Sequence, residues 1–423
     1  MGFPKMARVW QHFPRPVVKD IPAAVREGLS HLGIYSAIKP GETVALTVGS
    51  RGITNLQTMV STVVAEVKKT GADVYIVPSM GSHGGATDEG QVEIIKHFGI
   101  TEEAVGAPIR SSMEVVEMGK TEDGIPVYLD RNASEADHIL LLNRVKPHTD
   151  FTGKIESGLM KMMAIGLGKH KGASLYHRAA VQYGFERVIR TVSGVVMEKA
   201  PVLGGLAIVE NGYDETARIV GLTPGEIKEK EEELQQEAKD LLPKLPVEDI
   251  DVLIVDEIGK NISGVGMDPN VVGRVMSEYS EEPETPRIRR IVVLDLTKEA
   301  EGNALGIGAA DFTVERLAKK IDYHATYTNA FTALLVRKAH LPMTFPTDRE
   351  AVDAALNSLG LISPEEARVV RIKNTFELEV LEVSQTMLDE LRGKEHVEIA
   401  GEPVEMSFLA DGSLPKLKVD NRG

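Results

Sequence analysis

Apolar and polar positions follow two alternating patterns along the first half of the chain. Runs rich in β-branched residues predict strands at 43–48 and 73–78, and helical spacing of apolar positions follows each of them, at 55–69 and 87–98. This alternation is typical of βαβ units, whose strands lie parallel in one sheet. Further strands are predicted at HILLLN (138–143) and LAIVEN (206–211). We therefore expect an α/β fold with its functional groups at the carboxyl ends of the strands.

The pattern restarts after a charged segment in the middle of the chain. Residues 224–242 predict a helix with few apolar positions, which favours a solvated connector. Pro243 and Pro246 follow it, and strands of the buried type are predicted at 250–257 and 289–297. The second half is therefore expected to form an α/β unit of its own.

The length favours two domains. A single hydrophobic core rarely serves more than about 250–300 residues, and this chain has 423. We expect two α/β domains with mostly parallel sheets and an active-site cleft between them. The expected division is 1–246 and 247–423, and packing of the tail from about 398 on the first domain is left open.

Composition narrows the classes of ligand. Cysteine is absent, which excludes disulfides, iron–sulfur clusters on protein thiolates and cysteine-ligated zinc. The 48 Lys and Arg against 63 Asp and Glu give a net charge of −15, which disfavours nucleic acid and anionic membranes, so small molecules are the expected ligands. No apolar run approaches the roughly 18 residues of a membrane helix. The N-terminal sequence lacks the apolar stretch of a secretion signal, and a cytoplasmic location is expected.

One window is basic within this acidic chain. Between positions 144 and 178, seven cationic side chains stand against two carboxylates, which gives a local charge of +5. The cations are Arg144, Lys146, Lys154, Lys161, Lys169, Lys171 and Arg178, the carboxylates are Asp150 and Glu156, and the histidines of the window are His148, His170 and His177. The window predicts binding of a phosphate or carboxylate. A lysine-rich solvated surface with incidental histidines is the alternative.

Two loops after predicted strands carry further candidates. The loop SMGSHGGATDEG (79–90) places His83 at a strand-to-helix crossing, with Thr87 as a helix cap. In TVGSRG (47–52), Arg51 could clamp a carboxylate through two hydrogen bonds. When each loop is considered alone, the simpler interpretation is that His83 is a turn residue and that Arg51 is a surface arginine.

These three stretches, in this order, resemble the nickel-pincer-nucleotide lactate racemase family, a group of 2-hydroxyacid racemases and epimerases. In that family a pyridinium mononucleotide is joined to a lysine through a thioamide, and two sulfurs, one ring carbon and a histidine bind nickel. The tethering motif is similar to Ser157-Gly158-Leu159-Met160-Lys161, and the nickel histidine falls sixteen residues after Lys161, at His177. A chain without cysteine can offer Ni(II) soft sulfur only if the cofactor brings it.

The resemblance implies a role for each candidate of the first domain. Lys161 would be the tether, with Ser157, Gly158 and Ser50 contacting the cofactor. His83 and His148 would be paired acid/base residues, since an imidazole with a pKa of about 6.5 exchanges protons near neutral pH. One histidine would take the substrate hydroxyl proton while the Cα hydride moves to the cofactor, and return of the hydride to the other face inverts the centre. Arg51 would hold the substrate carboxylate.

The resemblance is weaker in the second domain. The segment GKNISGVGMDPNVVGR (259–274) follows a predicted strand and is similar to a family loop that faces the cleft. Its candidates for substrate contact are Lys260, Asp268, Asn270 and Arg274. A polar turn that caps a helix is an equally good interpretation of Asp268 and Asn270. The family's substrate-flanking Trp has no match, because the single Trp is Trp10. His170 and His324 are interpreted as structural or supporting residues.

Some positions depart from the lactate enzymes. Val48 and Gly52 replace the Asp and Pro that border the arginine motif, and Gly84-Gly85 follow His83 in place of Arg-Pro. Three extra residues between His148 and Lys161 are expected to bring Asp150 and Lys154 near the site. These changes favour another hydroxyacid, such as a dicarboxylate or a sugar acid, and cofactor-synthesis enzymes would be transient partners. A metal-dependent lyase or hydrolase, and a binding protein for a phosphorylated metabolite, are the alternatives.

Overall fold

The computed structural model describes residues 2–50, 52–278 and 280–417. The strands are β1 (Lys5–Gln11), β2 (Thr43–Val48), β3 (Asp73–Pro78), β4 (Val115–Lys120), β5 (Pro126–Asp130), β6 (His138–Arg144), β7 (Val202–Glu210), β8 (Thr216–Leu222), β9 (Asp249–Val255), β10 (Arg287–Val293), β11 (Phe312–Val314), β12 (Met343–Phe345), β13 (Val369–Ile372), β14 (Val380–Ser384) and β15 (Val397–Glu405).

The α-helices are α1 (Ile21–His31), α2 (Ile34–Ala37), α3 (Leu56–Lys68), α4 (Asp88–His97), α5 (Glu102–Val105), α6 (Arg131–Ser134), α7 (Leu159–Lys161), α8 (Lys169–Tyr183), α9 (Phe185–Lys199), α10 (Pro224–Leu241), α11 (Pro269–Val272), α12 (Glu315–Ala318), α13 (Tyr323–Thr332), α14 (Asp348–Asn357) and α15 (Leu388–Leu391). A π-helical turn, Met162–Gly166, follows α7. Within the described ranges, no helix is both long and apolar enough to cross a membrane.

The predicted βαβ pattern is confirmed. The strands predicted at 43–48 and 73–78 are β2 and β3, and the helices predicted after them are α3 and α4. The strands predicted at 138–143 and 206–211 are β6 and β7, and those predicted in the second half are β9 and β10. The α/β class follows directly from these elements.

The chain divides into two compact units. The first consists of 14–148 and 152–242. Its sheet has the strand order β3-β2-β6-β7-β8, parallel from β3 to β7, with β8 antiparallel at the edge. Apolar side chains of these strands and of α1 and α3 form one core, which includes Val25, Val44, Leu46, Val60, Val63, Ile76 and Leu140. The sheet therefore brings three parallel strand ends, those of β3, β2 and β6, side by side.

The second unit contains the residues up to Phe13, the short segment 149–151 and the chain from Pro243 onward. Its sheet has the order β12-β11-β10-β9-β13-β14-β1-β15. The strands from β12 to β13 are parallel, and β14, β1 and β15 add an antiparallel edge. The sheet is thus mostly parallel, as expected.

The division expected from sequence differs from these units at the N-terminus. Strand β1 lies in the range 1–246, yet it pairs with β14 on one side and β15 on the other, within the second unit. The tail strand β15 likewise has β1 as its neighbour in that unit. Hydrogen bonds between strands far apart in sequence set this boundary, and local composition carries no sign of them.

The interpretation of 224–242 as a solvated connector is wrong. Helix α10 begins with a capping box formed by Thr223 and Glu226, and it buries one face against β7, β8 and α7. The buried side chains are Ile227, Glu231, Leu234, Gln235, Ala238 and Leu241. Because two of these buried residues, Glu231 and Gln235, are polar, the hydropathy pattern of the sequence does not reveal the buried face. The helix is part of the first unit's structure and lies directly beside Lys161's helix.

Candidate active site

The three stretches singled out from sequence meet at one edge of the first unit's sheet. Strand β2 pairs with β3 on one side and with β6 on the other, all in parallel. Ser50 follows β2, the loop with His83 follows β3, and Lys146 and His148 follow β6. Because parallel strands end at the same edge, these side chains share the location where α/β sheets commonly bind ligands. Arg51 lies outside the described residues.

Ser50 and His83 are joined by a hydrogen bond between the serine Oγ and the histidine Nδ1. The loop with His83 also packs on the segment that links Lys161 to His177. The Gly81 N–H donates to the Gly166 carbonyl at 3.2 Å. A Cβ at position 81, where φ is 61°, would lie 3.1 Å from Ile165 Cγ2 and 3.2 Å from Ala173 Cβ. Glycine therefore permits the close approach of this loop to the π-helical turn and to α8.

Lys161 ends the short helix α7 and directly precedes the π-helical turn. In that turn the Leu167 N–H donates to the Met162 carbonyl at 2.9 Å, five residues back. Asn143, on β6, donates from Nδ2 to the Gly158 carbonyl at 2.6 Å. The segment before Lys161 is thus attached to the end of a central strand. π-Helical turns occur frequently at functional sites.

The loop with His148 is fixed by a buried ion pair. The His148 N–H donates to Glu156 Oε2 at 2.6 Å, and the Gly153 N–H donates to Oε1 at 2.9 Å. Lys239 Nζ, from α10, lies 2.6 Å from the same Oε1. Burial raises the pKa of Glu156, and the hydrogen bond from Lys239 opposes this by favouring the carboxylate. Nothing in the sequence marks Glu156 and Lys239 as partners, because their pairing depends on how α10 packs.

His177 lies on α8 and its tautomer is set by the backbone. Its Nδ1 donates to the Ala173 carbonyl at 2.7 Å, which leaves the ring lone pair on Nε2. This is the arrangement that metal-binding histidines commonly adopt. The Phe185 ring packs edge-on against His177, with centroids 5.0 Å apart, and stacks with His148 at 6.2 Å. Phe185 therefore brings two predicted site histidines into one cluster, a contact with no signal in the sequence.

A buried lysine connects the loop with His83 to α8. Lys169, fully buried at the start of α8, donates from Nζ to the Pro78 carbonyl at 2.8 Å and to Gln91 Oε1 at 2.6 Å. The Gln91 amide in turn donates to the carbonyls of Gly81 and His83, at 2.9 and 3.3 Å. The buried Asp130 carboxylate lies 3.4 Å from Lys169 Nζ. Burial lowers the pKa of Lys169 and raises that of Asp130, while their mutual attraction opposes both shifts.

The cationic side chains of the basic window have different partners. Arg144 pairs with Glu210, Lys169 is buried with Asp130, and Lys171 lies 4.3 Å from the centre of the Tyr128 ring. These three cations therefore have partners within the protein, and binding of a phosphate or carboxylate by the window stays a prediction. Lys146 and Lys161 are the half-buried lysines that stay beside the strand ends.

Neither Asp150 nor Lys154 is simply an added charge at this edge. Within the second unit, Asp150 Oδ1 lies 2.8 Å from Nζ of the buried Lys338, which also donates to the Thr149 carbonyl at 3.2 Å. The Lys154 side chain is 78% exposed and lies 3.9 Å from Glu232. His170 is also exposed, in keeping with its interpretation as a supporting residue.

Comparison with known proteins supports the resemblance found in the sequence. Residues 14–185 match the family model of the lactate racemase N-terminal domain. The chain is lactate racemase-like. The matched range contains His83, His148, Lys161 and His177. No curated protein matches the chain by sequence.

A solved structure extends the likeness beyond the matched domain. The lactate racemase apoprotein from Thermoanaerobacterium thermosaccharolyticum superposes with a TM-score of 0.53 at 13% sequence identity. The match covers 86% of this chain and 93% of that one. At this identity the likeness shows that the lactate racemase-like chain has the same fold across most of its length.

The donor set of this lactate racemase-like chain fits a cofactor that supplies its own sulfur. Within the described residues, no group of three or more His, Asp and Glu side chains could hold a metal ion. A single imidazole, with its lone pair on Nε2, is what the fourth position of a nickel-pincer nucleotide requires. His177 meets this requirement through its bond to Ala173.

In the second unit, the residues predicted to contact substrate have internal partners. Lys260 Nζ donates to Asn329 Oδ1 at 2.8 Å and to the Gly264 carbonyl. Asp268 caps α11, and its Oδ1 accepts the backbone and side-chain N–H groups of Asn270, both at 2.9 Å. The Arg274 guanidinium bonds to Asp311 and to three carbonyls. The cap agrees with the alternative interpretation of Asp268 and Asn270 as a polar turn, and the bonds of Arg274 favour a structural role.

Proposed function

We propose that this lactate racemase-like chain is a racemase or epimerase of a 2-hydroxyacid other than lactate, working with a nickel-pincer nucleotide bound covalently at Lys161. The observation that carries the proposal is the convergence of three segments at one strand edge. The loop with His83 packs on the turn after Lys161, and Phe185 contacts both His148 and His177. The match of 14–185 to the lactate racemase N-terminal domain supports the same assignment.

Five residues would hold the cofactor. Lys161 would form the covalent link, His177 would bind nickel through Nε2, and Ser157, Gly158 and Ser50 would contact the nucleotide. When bound, the nucleotide would accept a hydride from the substrate Cα and return it. Imidazole is a suitable ligand for Ni(II), and this chain would supply the imidazole of His177 but no thiolate.

His83 and His148 would move the proton of the substrate hydroxyl. The partner of His83 Nδ1 is a hydroxyl group, which can either donate or accept a hydrogen bond. When the Ser50 hydroxyl accepts from Nδ1–H, the neutral ring of His83 carries its lone pair on Nε2 and can act as a base. After Nε2 takes a proton, the imidazolium keeps the same bond to Ser50 and can return the proton as an acid. His148 would serve the opposite face of the substrate, on a backbone fixed by Glu156.

The substrate would be held by its carboxylate. Arg51 would clamp this group, and Lys260, Asp268 and Asn270 of the second unit would contribute further contacts. Arg274 is not among these proposed contacts, because its bonds to Asp311 and to three carbonyls favour a structural role. The departures at Val48, Gly52, Gly84 and Gly85 support a substrate other than lactate, and a dicarboxylate or a sugar acid is the class that we propose. We also propose a cytoplasmic location and transient contact with cofactor-synthesis enzymes.

Covalent attachment at Lys161 is tested by co-expression with the cofactor-synthesis enzymes. We expect the wild-type chain to gain the mass of the nucleotide and an equimolar amount of nickel, and Lys161→Arg to gain neither, because a guanidinium cannot form the thioamide. Intact-protein mass spectrometry and metal analysis measure both. Lys154→Ala, at an exposed lysine of the same window, is the control and should load like the wild type.

An unmodified Lys161 without nickel in the co-expressed wild type would contradict the proposal. Lys161→Arg that still binds a phosphorylated metabolite, in a chain that never carries nickel, would instead favour a binding protein. That alternative needs only the positive charge of the lysine.

Hydride transfer has its own isotopic signature. Single enantiomers of hydroxyacids are incubated with the loaded enzyme in deuterated water, and the products are analysed by optical rotation and mass spectrometry. We expect inversion with retention of the Cα hydrogen, because a hydride held by the cofactor does not exchange with solvent. Deuterium at Cα would point to removal of a proton from carbon and would rule out this mechanism.

A further inference from the structure

A buried carboxyl group lies directly against the segment that carries Lys161. Glu231, on α10, is fully buried. Its Oε2 accepts hydrogen bonds from the Leu159 N–H at 2.7 Å and the Met160 N–H at 3.2 Å. These are the two residues immediately before Lys161. Burial raises the pKa of Glu231 to about 7, and the bonds from Leu159 and Met160 counteract it.

The glycine of the tether motif is explained by the same contact. A Cβ at position 158 would lie 2.6 Å from Glu231 Cδ and 2.7 Å from its Oε1. Any side chain there would displace the carboxyl group from the two N–H groups. Glycine at position 158 is therefore required by the packing against Glu231, in addition to any contact that Ser157 and Gly158 make with a nucleotide.

The other side of the segment is held by β6. Asn143 Nδ2 donates to the Gly158 carbonyl at 2.6 Å, and the Met162 N–H donates to the same oxygen at 3.0 Å. The backbone before Lys161 is thus bonded from the strand on one side and from α10 on the other. A buried carboxyl group is costly unless it is hydrogen-bonded, and here the backbone N–H groups of Leu159 and Met160 donate to it.

We propose that Glu231 is a positioning residue for Lys161: its carboxyl group fixes the backbone before the lysine, so that the ε-amine points to the strand edge where the cofactor is attached. The role of Lys161 as tether rests on the proposed function. The fixing of the backbone rests on the contacts of Glu231 alone, so the two can be tested separately.

The test compares Glu231→Ala, Glu231→Gln and Glu229→Gln in the full-length chain. Glu229 is exposed on the same helix and is the matched control. Hydrogen exchange of peptides spanning 157–163 is followed by mass spectrometry in the unloaded protein. Loading at Lys161 is followed by intact mass during co-expression with the cofactor-synthesis enzymes.

We expect Glu231→Ala to speed exchange of the 157–163 peptides by about tenfold or more, since two backbone donors lose a buried acceptor. Loading at Lys161 should slow by a similar factor. Glu231→Gln should stay close to the wild type in both measurements, because the amide oxygen can accept the same two bonds. Glu229→Gln should change neither.

Unchanged exchange in Glu231→Ala would overturn the proposal, and so would fast exchange with loading at the wild-type rate. If Glu231→Ala exchanges fast throughout the chain, the folded protein is lost, and Gly158→Ala replaces it. This variant displaces the carboxyl group without removing it and should give the same local result, and a wild-type result for it would overturn the proposal.

A failure of the proposed function would look different. If the wild-type chain takes up no nucleotide, labelling of Lys161 by an amine-reactive reagent replaces loading as the second measurement. An altered labelling rate at Lys161 in Glu231→Ala, with normal rates at the other lysines, would still support the positioning role, and an unaltered rate would overturn it.

Discussion

Replacement of His83 by Asn is expected to lower kcat for racemisation by about 10²–10⁴-fold, the usual contribution of one acid/base group. The loss should be similar from either enantiomer of the substrate, because the same histidine acts as base in one direction and as acid in the other. KM should change far less, since the substrate carboxylate would be held elsewhere. Initial rates from each enantiomer measure this, normalised to the nickel content of each preparation.

His148→Asn should behave in the same way, and His170→Asn is the control. His170 belongs to the same basic window but is exposed, so its replacement should leave kcat within about twofold of the wild type, as expected of a surface change. Wild-type turnover by a fully loaded His83→Asn enzyme would remove His83 from the chemistry.

Lys169→Met is expected to lower the free energy of unfolding by about 3–5 kcal/mol, which is typical when one partner of a buried ion pair is removed. Methionine fills a similar volume, but the Asp130 carboxylate, fully buried, would lose the cation 3.4 Å away. The Pro78 carbonyl and Gln91 Oε1 would lose a donor as well. Denaturation with urea, followed by circular dichroism, measures the change.

Lys171→Met is the control for this prediction. Lys171 is exposed and interacts with the Tyr128 ring, a contact worth about 0.5–1 kcal/mol. The double variant Lys169→Met/Asp130→Asn should recover part of the loss, because it removes the uncompensated charge. Equal unfolding midpoints for Lys169→Met and Lys171→Met would show that the buried pair contributes little.

Much of the fold could be predicted because its central strands are buried on both faces. Such strands appear as continuous apolar runs, and β2, β3, β6 and β9 were found at or within a residue or two of their observed bounds. Their order along the chain, alternating with helices, also predicts the parallel sheet. The location of the candidate site at the strand ends follows from that topology.

Helix α10 could not be read correctly from its sequence. Glu231 and Gln235 occupy its buried face, and a hydropathy pattern assigns such residues to solvent. The reason for burying Glu231 lies in two backbone N–H groups about seventy residues earlier in the chain. Only the folded structure brings them together.

The supporting residues of the candidate site were missed for the same reason. Phe185 carries no mark in the sequence, and its contacts with His148 and His177 depend on the packing of α8 and α9. In the sequence, Gln91 has the pattern of an ordinary polar residue of an amphipathic helix. Only the structure shows that it bonds to Lys169 and to the loop with His83. A motif identifies the groups that could do the chemistry, whereas their supports are set by tertiary neighbours.

The place of β1 in the second sheet affects how the protein can be made and divided. Trp10 pairs with Val380 and with Glu398, so β1 cannot pair with its neighbours until β14 and β15, far later in the chain, have been synthesised. Along the chain the first unit is inserted into the second, and none of the strands of its five-stranded sheet pairs with β1. A fragment that starts after Pro246 would carry β14 and β15 without the strand between them, and two such bare edges invite aggregation. Isolation of the C-terminal unit therefore calls for a circular permutant that supplies residues 2–13 at its end.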